Sequence, residues 1–572
     1  MPRSSQLICW LPLLGFGLAF PAPYRNQQQC ILSIPKPNGI DTNGAVASES
    51  DICSRIGTKI IAVGGSAADA MVATTLCVGV VGMYHSGIGG GGFMLVRDEM
   101  GRYEAIDYRE TAPAAATVDM YQGNPTGSTH GGLAVGVPGE LRGLDYIHKQ
   151  YGRLPWKDVV MPAVGVARDG FRVNEDLVRY MKSATASDNF LVNDPTWAID
   201  FAPNGTLLEL GDLITRKRFA NTLEKIANQG AEAFYQGEIA KSIITTIRNS
   251  NGTMTLSDLS SYSILTKPAI SIKHGPFNLY STPAPSSGSI MLSIISTFGQ
   301  FLRSANPNIT THRLAESMKF AYGARQELGD PLFIPNLTSY QRHLLSPSYN
   351  SKIHSLILDN TTQPLSVYNP SAYYTPPTAG TSHIVTSDAS GMTLTSTTTI
   401  NLLFGAKLMD PTTGIILNNE MDDFSQPGKK NSFGYEPSPS NFIAPNKRPL
   451  SSITPLIVEH ADNKTLYFAT GAAGGSRIIT STAQVALHLL SGESGLYDAI
   501  RLPRIHHQLM PEVLNLEEGF DKSLYESLVS KGHNVSWVAP GQSAAQGILR
   551  LGNGTFQAVG ETRQVNSGGF AV

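Results

Sequence analysis

The chain changes texture at one point. Residues 361–380 are rich in Pro, Tyr and Thr and show no hydrophobic period, and are expected to form an irregular, exposed linker. Directly after Gly380 the pattern becomes β. Thr381-Ser382-His383-Ile384-Val385-Thr386-Ser387 reads as a strand, Asp388-Ala389-Ser390-Gly391 as a turn, and Met392 to Ile400 as a second, Thr-rich strand. Another hairpin follows, with Leu456-Ile457-Val458, a turn at Asp462-Asn463, and Leu466-Tyr467-Phe468. It runs into Gly471-Ala472-Ala473-Gly474-Gly475-Ser476 and a helix from Ile478 to Leu490.

Before Gly380 the elements are mixed. Residues 23–50 are polar and turn-rich and predict a loose N-terminal stretch. Ala67 to Cys77 reads as a tightly packed helix. The glycine-rich run Ser86 to Phe93 then opens a strand at Met94-Leu95-Val96. A dinucleotide fingerprint follows a strand and opens a helix, which is the reverse order. These glycines instead predict close backbone approach beside a sheet. Pro138-Gly139-Glu140 opens a helix, and Arg313 to Glu327 forms another, with Leu314, Met318, Ala321 and Tyr322 on one face.

The balance of 41% apolar and 15% charged residues with a formal charge of −2 fits a globular protein with a large core. It gives no reason to expect nucleic acid or an anionic membrane as partner. At the N-terminus, Arg3 precedes an apolar run from Leu7 to Phe20, too short to span a bilayer comfortably, so residues 1–22 read as a signal peptide. A retained signal anchor is the alternative, and the one route to a membrane. Eight Asn-x-Ser/Thr sequons agree with secretion or an endomembrane lumen: Asn204, Asn251, Asn308, Asn336, Asn360, Asn463, Asn534 and Asn553. Cys9 lies in the signal segment; Cys30, Cys53 and Cys77 remain, enough for one disulfide and one free thiol.

The common hydrolase signatures are missing. There is no Gly-x-Ser-x-Gly, no Gly-x-x-x-x-Gly-Lys-Ser/Thr and no His-Glu-x-x-His. His506-His507 is the only adjacent histidine pair; strand neighbours point to opposite faces, and no acid or Cys stands at ligand spacing, so no metal is expected. Polar residues concentrate instead between 381 and 476: Thr381, Thr399 and Asn401, then Asn418 to Phe424, then Pro449-Leu450-Ser451-Ser452, then Gly474-Gly475.

Those segments carry a resemblance. Gly64 to Ala70, His85 to Phe93, Arg109-Glu110-Thr111-Ala112-Pro113, Val137 to Glu140, Gly152 to Trp156, Gly329-Asp330-Pro331, Gly380-Thr381-Ser382-His383, Asn418 to Ser425, Lys447 to Ser452 and Gly471 to Ser476 occur in one order along nearly the whole chain. In that order they resemble the γ-glutamyltransferase family of N-terminal-nucleophile hydrolases. The resemblance implies an α/β fold, a four-layer αββα sandwich in which a large subunit of residues 23–380 and a small subunit of residues 381–572 form one intertwined domain. It implies that the precursor cuts its own Gly380–Thr381 bond, with the two subunits staying together as a heterodimer.

It further implies roles. Thr381 becomes the nucleophile, served by its own α-amine, which titrates near about 7.7–8.0. Thr399 supports it. Gly474 and Gly475 offer N–H groups to the oxyanion. Arg109, Ser451 and Ser452 hold the substrate α-carboxylate, and Asn401, Glu420 and Asp423 its α-ammonium. Substrates would be glutathione and other γ-glutamyl compounds, with amino acids, dipeptides or water as acceptors, and no cofactor. Cys53 and Cys77 match a bonded pair in animal members, whose second pair this chain lacks. Glu420 resembles eukaryotic members, where bacterial ones often have Gln. The ending Gly568-Gly569-Phe570-Ala571-Val572 departs from the family's usual Gly-Tyr. Two other readings compete: a same-fold acylase or strict γ-glutamyl hydrolase, and a non-catalytic secreted glycoprotein.

Overall fold

The hairpin after Gly380 forms, and it lies in the middle of a seven-stranded sheet. The structure is a computed structural model that describes residues 42–301, 306–376, 380–432 and 434–572. The expected signal peptide, Cys9 and Cys30 lie outside the described residues.

Two antiparallel sheets carry the fold. Their strands, in chain order, are β1 (Gly44–Ser48), β2 (Gly91–Arg97), β3 (Tyr103–Asp107), β4 (Leu265–Pro268), β5 (Ile270–His274), β6 (Phe277–Ser281), β7 (Ser382–Asp388), β8 (Thr393–Thr399), β9 (Leu456–His460), β10 (Leu466–Ala473), β11 (Ala544–Arg550), β12 (Phe556–Val559) and β13 (Gly568–Ala571). The first sheet runs β13-β1-β7-β8-β2-β3-β4 and the second β12-β11-β10-β9-β6-β5. The main helices are α1 (Asp51–Ala62), α2 (Ala67–Val81), α3 (Glu140–Tyr151), α4 (Trp156–Asp169), α5 (Lys217–Gln229), α6 (Gly288–Phe298), α7 (Pro307–Arg325) and α8 (Arg477–Ser491).

Strand alternation sorts the core into three layers. On the first sheet Val46, Met94, Val96, Ile384 and Leu394 face α1 to α5. Their neighbours Ala45, Ala47, Leu95 and Val385 point the other way and meet Ile457, Ala469 and Ile548 of the second sheet. The outer face of the second sheet packs Leu279, Leu456, Val458 and Phe468 against α6, α7 and α8. This is the αββα sandwich that the resemblance implied.

The local reasons are plain. Helix α2 has a Ser66–Asp69 capping box and is buried throughout. Its Ala and Gly residues let it lie close to the sheet, and Gly79 approaches Gly87 so nearly that an added Cβ would stand 3.0 Å from the Gly87 Cα. Strand β8, TLTSTTT, is wholly buried although polar. It is tolerated because its hydroxyls find partners: Thr395 and Thr397 bond His383, and Ser396 bonds Tyr108.

Two expectations need correction. Residues 44–48 are not loose but form buried strand β1, held between β7 and β13. Residues 361–380 are not wholly irregular: Leu365–Tyr368 is a helical turn with Tyr368 buried, and Tyr373–Tyr374 pairs in parallel with Glu436–Pro437. The unusual C-terminus closes the sheet edge as β13. An added Cβ at Gly569 would stand 2.4 Å from the Ala558 carbonyl carbon, and the Arg55 guanidinium lies over the Phe570 ring.

Candidate active site

The hairpin register brings two threonines together. Ser382 faces Thr398 across β7 and β8, so one position further Thr381 meets Thr399. Gly380, at φ +91°, leads into Thr381; a Cβ there would lie 2.0 Å from the Asn401 carbonyl oxygen. The Thr399 hydroxyl donates to the Gly380 carbonyl at 2.8 Å and accepts from the Asn401 N–H at 2.7 Å. The Thr381 Oγ1 accepts from the Gly474 N–H at 2.9 Å. Gly474 and Gly475 lie between β10 and α8 at φ +122° and +58°, a backbone course open to glycine and costly for other residues.

One cleft gathers Arg109, Gly380, Thr381, Thr399, Asn401, Glu420, Asp423, Ser451, Ser452 and Gly475. Gly474 joins them through its bond to Thr381. Ile453 and Ile478, which the sequence did not single out, complete the wall.

One side of the cleft is an ion cluster. Arg109, at the end of β3, is buried and reaches Glu420 Oε1 at 2.5 Å, hydrogen-bonds Asp423, and lies 3.9 Å from Glu110. Glu420–Asp423 is a single 3₁₀ turn. Asn418 fixes it, its Oδ1 accepting from the N–H groups of Glu420 and Gly136. Asn401, at φ +68°, donates from Nδ2 to the Asn419 carbonyl. Burial raises the pKa of all three acids against the pull of Arg109: Glu110 to about 7, Glu420 well above the ordinary range, and Asp423 upward. Burial opposes the charge on Arg109, but Glu420, Asp423 and Glu110 outweigh it and hold the guanidinium protonated. Three carboxyls around one guanidinium cannot all ionise cheaply, so the cluster retains a proton near neutral pH.

The other side is made by the serine pair. The Ser451 N–H donates to the Pro285 carbonyl, its Oγ accepts from the Ile453 N–H, and Ser287 Oγ donates to its carbonyl. Ser452 Oγ accepts from Arg325 Nη2 at 3.0 Å. Sequence reasoning missed Arg325 and Glu110. The signal for Arg325 was present: it continues the buried face of Met318, Ala321 and Tyr322 by one helical turn.

Elsewhere, Cys53 and Cys77 are bonded and tie α1 to α2. Seven sequon asparagines are exposed, and Asn308 is half-buried. His506 and His507 are buried and take different partners, Thr480 and Gln508 for one and the Leu509 N–H for the other. Apart from that pair, His312, Glu316 and His533 converge. There His312 bonds His533 and the Leu358 carbonyl, and Lys319 lies 3.5 Å from Glu316, so internal partners already serve the group. Among the described residues no helix is long and apolar enough to cross a membrane.

The whole sequence compares closely with known proteins. The family model described as gamma-glutamyltranspeptidase matches residues 53–570. A "Glutathione hydrolase proenzyme" of Arthroderma benhamiae is 50% identical over 554 residues, covering 94% of this chain and 94% of the relative. A "Glutathione hydrolase" of Aspergillus flavus is 45% identical over 535 residues, covering 92% and 89%. Among solved structures, a cephalosporin acylase from Bacillus halodurans superposes with a TM-score of 0.81 over 95% of this chain and 99% of its own; at 23% identity it speaks for the fold alone. The gamma-glutamyltranspeptidase of Helicobacter pylori is 30% identical, with a TM-score of 0.53 over 58% of this chain and 95% of that one. With the match of the family model running from the first bonded cysteine almost to the C-terminus, and the threonine hairpin and ion cluster meeting in one cleft, the chain belongs to the γ-glutamyltranspeptidase family of enzymes.

Proposed function

We propose that the chain is a precursor that cuts itself between Gly380 and Thr381, and that the freed Thr381 then transfers γ-glutamyl groups from glutathione and related amides. The observation that carries this reading is the position of the Thr381 hydroxyl. It lies opposite Thr399, held by the Gly474 N–H, in the same cleft as a guanidinium, two carboxyls and two serines.

In the first step the Thr381 Oγ adds to the Gly380 carbonyl carbon, whose oxygen is already polarised by Thr399. The C–N bond breaks, the Thr381 nitrogen takes a proton, and an ester joins Gly380 to Thr381. Water hydrolyses the ester, leaving a Gly380 carboxylate and a free Thr381 amine. The products are a large subunit ending at Gly380 and a small subunit of residues 381–572. The uncut chain has an amide where the mature chain has an amine, so the base for turnover exists only after cutting.

In turnover that amine takes the Thr381 hydroxyl proton while Oγ attacks the γ-carbonyl of the donor. Gly474 and Gly475 N–H groups stabilise the oxyanion. Cysteinylglycine leaves with a proton, and the γ-glutamyl ester passes to an amino acid, a dipeptide or water. Arg109, Ser451 and Ser452 take the donor α-carboxylate, and Asn401, Glu420 and Asp423 its α-ammonium. The substrate ammonium thereby replaces part of what Arg109 does for Glu420 and Asp423. A same-fold acylase acting on donors without these two charges would have no use for that cluster. A strict hydrolase would share every residue named and differ only in acceptor. Secretion through an N-terminal signal, with glycans on the exposed sequons, completes the reading.

Purified protein run on a denaturing gel should give two bands, the smaller beginning Thr-Ser-His-Ile. Thr381→Ala should give one full-length, inactive band. A single uncut band from active protein overturns the reading. Release of p-nitroaniline from γ-glutamyl-p-nitroanilide, quickened by added glycylglycine, separates a transferase from a strict hydrolase.

A further inference from the structure

Arg325 ends α7 with its side chain buried. It stands between the active-site cleft and a second, shallow pocket, whose wall it shares with Tyr374, Thr375 and Ser476. Each of its three nitrogens donates to a neutral hydroxyl: Nη2 to Ser452, Nε to Ser287 and Nη1 to Thr375. Among the described residues it forms no ion pair, unlike the buried Arg448 and Arg504. Arg448 has Asp107 at 3.2 Å and Arg504 has Glu561 at 3.0 Å. Arg216 also lacks a close carboxylate, but it bonds the main-chain carbonyls of Gly79 and Gly414, as a structural arginine does. A cation kept out of water beside a cleft and served only by hydroxyls is costly unless an anion comes to it.

The charges of the cleft ask for such a cation. Arg109 already faces Glu110, Glu420 and Asp423. Even with one of those carboxyls protonated, the group is net negative, and a donor α-carboxylate entering beside it would be repelled. The α-ammonium answers the acids; the α-carboxylate needs positive potential from the serine side. Arg325 is the guanidinium there. Because Ser452 Oγ accepts from it, the serine's own proton is left to donate into the cleft, and the guanidinium strengthens that donation.

We propose that Arg325 is a positioning residue for the donor α-carboxylate, acting through Ser452 as the second positive charge of the γ-glutamyl site. This rests on the γ-glutamyl reading above and deepens it.

The test compares three p-nitroanilides on self-cleaved protein: γ-glutamyl, 4-aminobutyryl, which lacks the α-carboxylate, and glutaryl, which lacks the α-ammonium. Arg325→Gln should lower kcat/KM about 10- to 100-fold on the γ-glutamyl and glutaryl donors, mainly through KM, and only slightly on 4-aminobutyryl. Arg325→Lys should restore part of the loss. Where Arg325→Gln stays uncut, Arg325→Lys carries the same comparison and should discriminate by the carboxylate alone. Equal loss on all three donors, or no loss, overturns the proposal. So does a loss with glutathione but none with γ-glutamyl-p-nitroanilide, which would assign Arg325 to the leaving dipeptide. A wild-type protein inert toward every γ-glutamyl donor would instead refute the function itself.

Discussion

The Thr399 hydroxyl donates a 2.8 Å hydrogen bond to the carbonyl oxygen of Gly380, the carbonyl of the bond that precedes Thr381. A donor held on that oxygen stabilises the negative charge that develops when a nucleophile adds to the carbon. Single donors of this kind are worth about 100- to 1000-fold in rate. Thr399→Ala should therefore fold and accumulate as full-length chain, cutting itself about 100-fold more slowly. Thr399→Ser, which keeps the hydroxyl, should recover most of the rate. A time course on denaturing gels reads both; an unchanged rate in the alanine variant would remove Thr399 from the cleavage step.

Gly380 is held by geometry that no other residue accepts without strain. Its φ of +91° and the 2.0 Å approach of a Cβ to the Asn401 carbonyl act together, and the opposing atom is backbone, which cannot swing aside. Strain of this kind costs about 1–3 kcal/mol and would displace the carbonyl from Thr399. Gly380→Ala should slow self-cleavage about tenfold or more while the melting temperature changes little, because the residue lies outside both sheets. A variant that cuts at the normal rate would show that the backbone course at Gly380 is not needed.

Asp423 and Glu420 both pair with Arg109 and face the same cleft. Removing one charge by Asp423→Asn leaves the donor ammonium with a weaker partner, at about 1.5–3 kcal/mol for a charged hydrogen bond. KM for γ-glutamyl-p-nitroanilide should rise about 10- to 100-fold, and the penalty on glutaryl-p-nitroanilide, which has no ammonium, should be smaller. Equal penalties on the two donors would mean that Asp423 serves the cluster and not the substrate.

The Cys53–Cys77 bond joins α1 to α2 across 24 residues of chain. Closing a loop of that size limits the unfolded chain by about 3 kcal/mol. The double variant Cys53→Ala/Cys77→Ala should unfold at lower denaturant with activity retained in the fraction that folds. An unchanged midpoint would show that packing alone holds α1 on α2.

What the sequence made legible was local. The hairpin at 381–399 announced itself because β-branched residues flank a short turn, and both the strands and the turn are set by neighbours in sequence. Helix α2 and the strand after the glycine run were readable for the same reason. Strand β1 was not: Gly44–Ser48 is short, and its partners are residues 384–388 and 568–571, more than 300 positions away. Nothing local marks such a pairing. The cleft is non-local as well, since it draws on segments from Arg109 to Gly475. Periodicity could place each segment on an element but could not bring them together; the order of family segments did that. The ion pairing of Arg109 with Glu420 and Asp423, and the bond from Arg325 to Ser452, exist only once the chain is folded and leave no local mark in the sequence.

Glu140 links the fold to pH. It opens α3 beneath the 381–399 hairpin, with its N–H donating to the Gly90 carbonyl and its carboxyl accepting from the Thr398 hydroxyl. Its second oxygen has no hydrogen-bond partner. Burial raises its pKa from 4.5 to about 8, against the opposing bond from Thr398 and with some help from Glu110. A carboxyl with a higher pKa in the fold than in the unfolded chain holds a proton when folded and gives it up on unfolding. Its contribution is therefore complete below about 4.5 and is lost as pH rises toward about 8. The slope per such group is about 1.4 kcal/mol per pH unit. Stability of Thr381→Ala, used so that the chain stays uncut throughout, should fall between these two values, and Glu140→Gln in the same background should flatten the fall. Glu110, raised to about 7, and Glu420 and Asp423, also raised by burial, share the trend and leave a residual slope. Denaturant midpoints measured from pH 5 to 8 decide it: a profile with the same slope in both proteins would mean that Glu140 is ionised in the fold and that the buried acid beneath Thr398 is not what couples this molecule to pH.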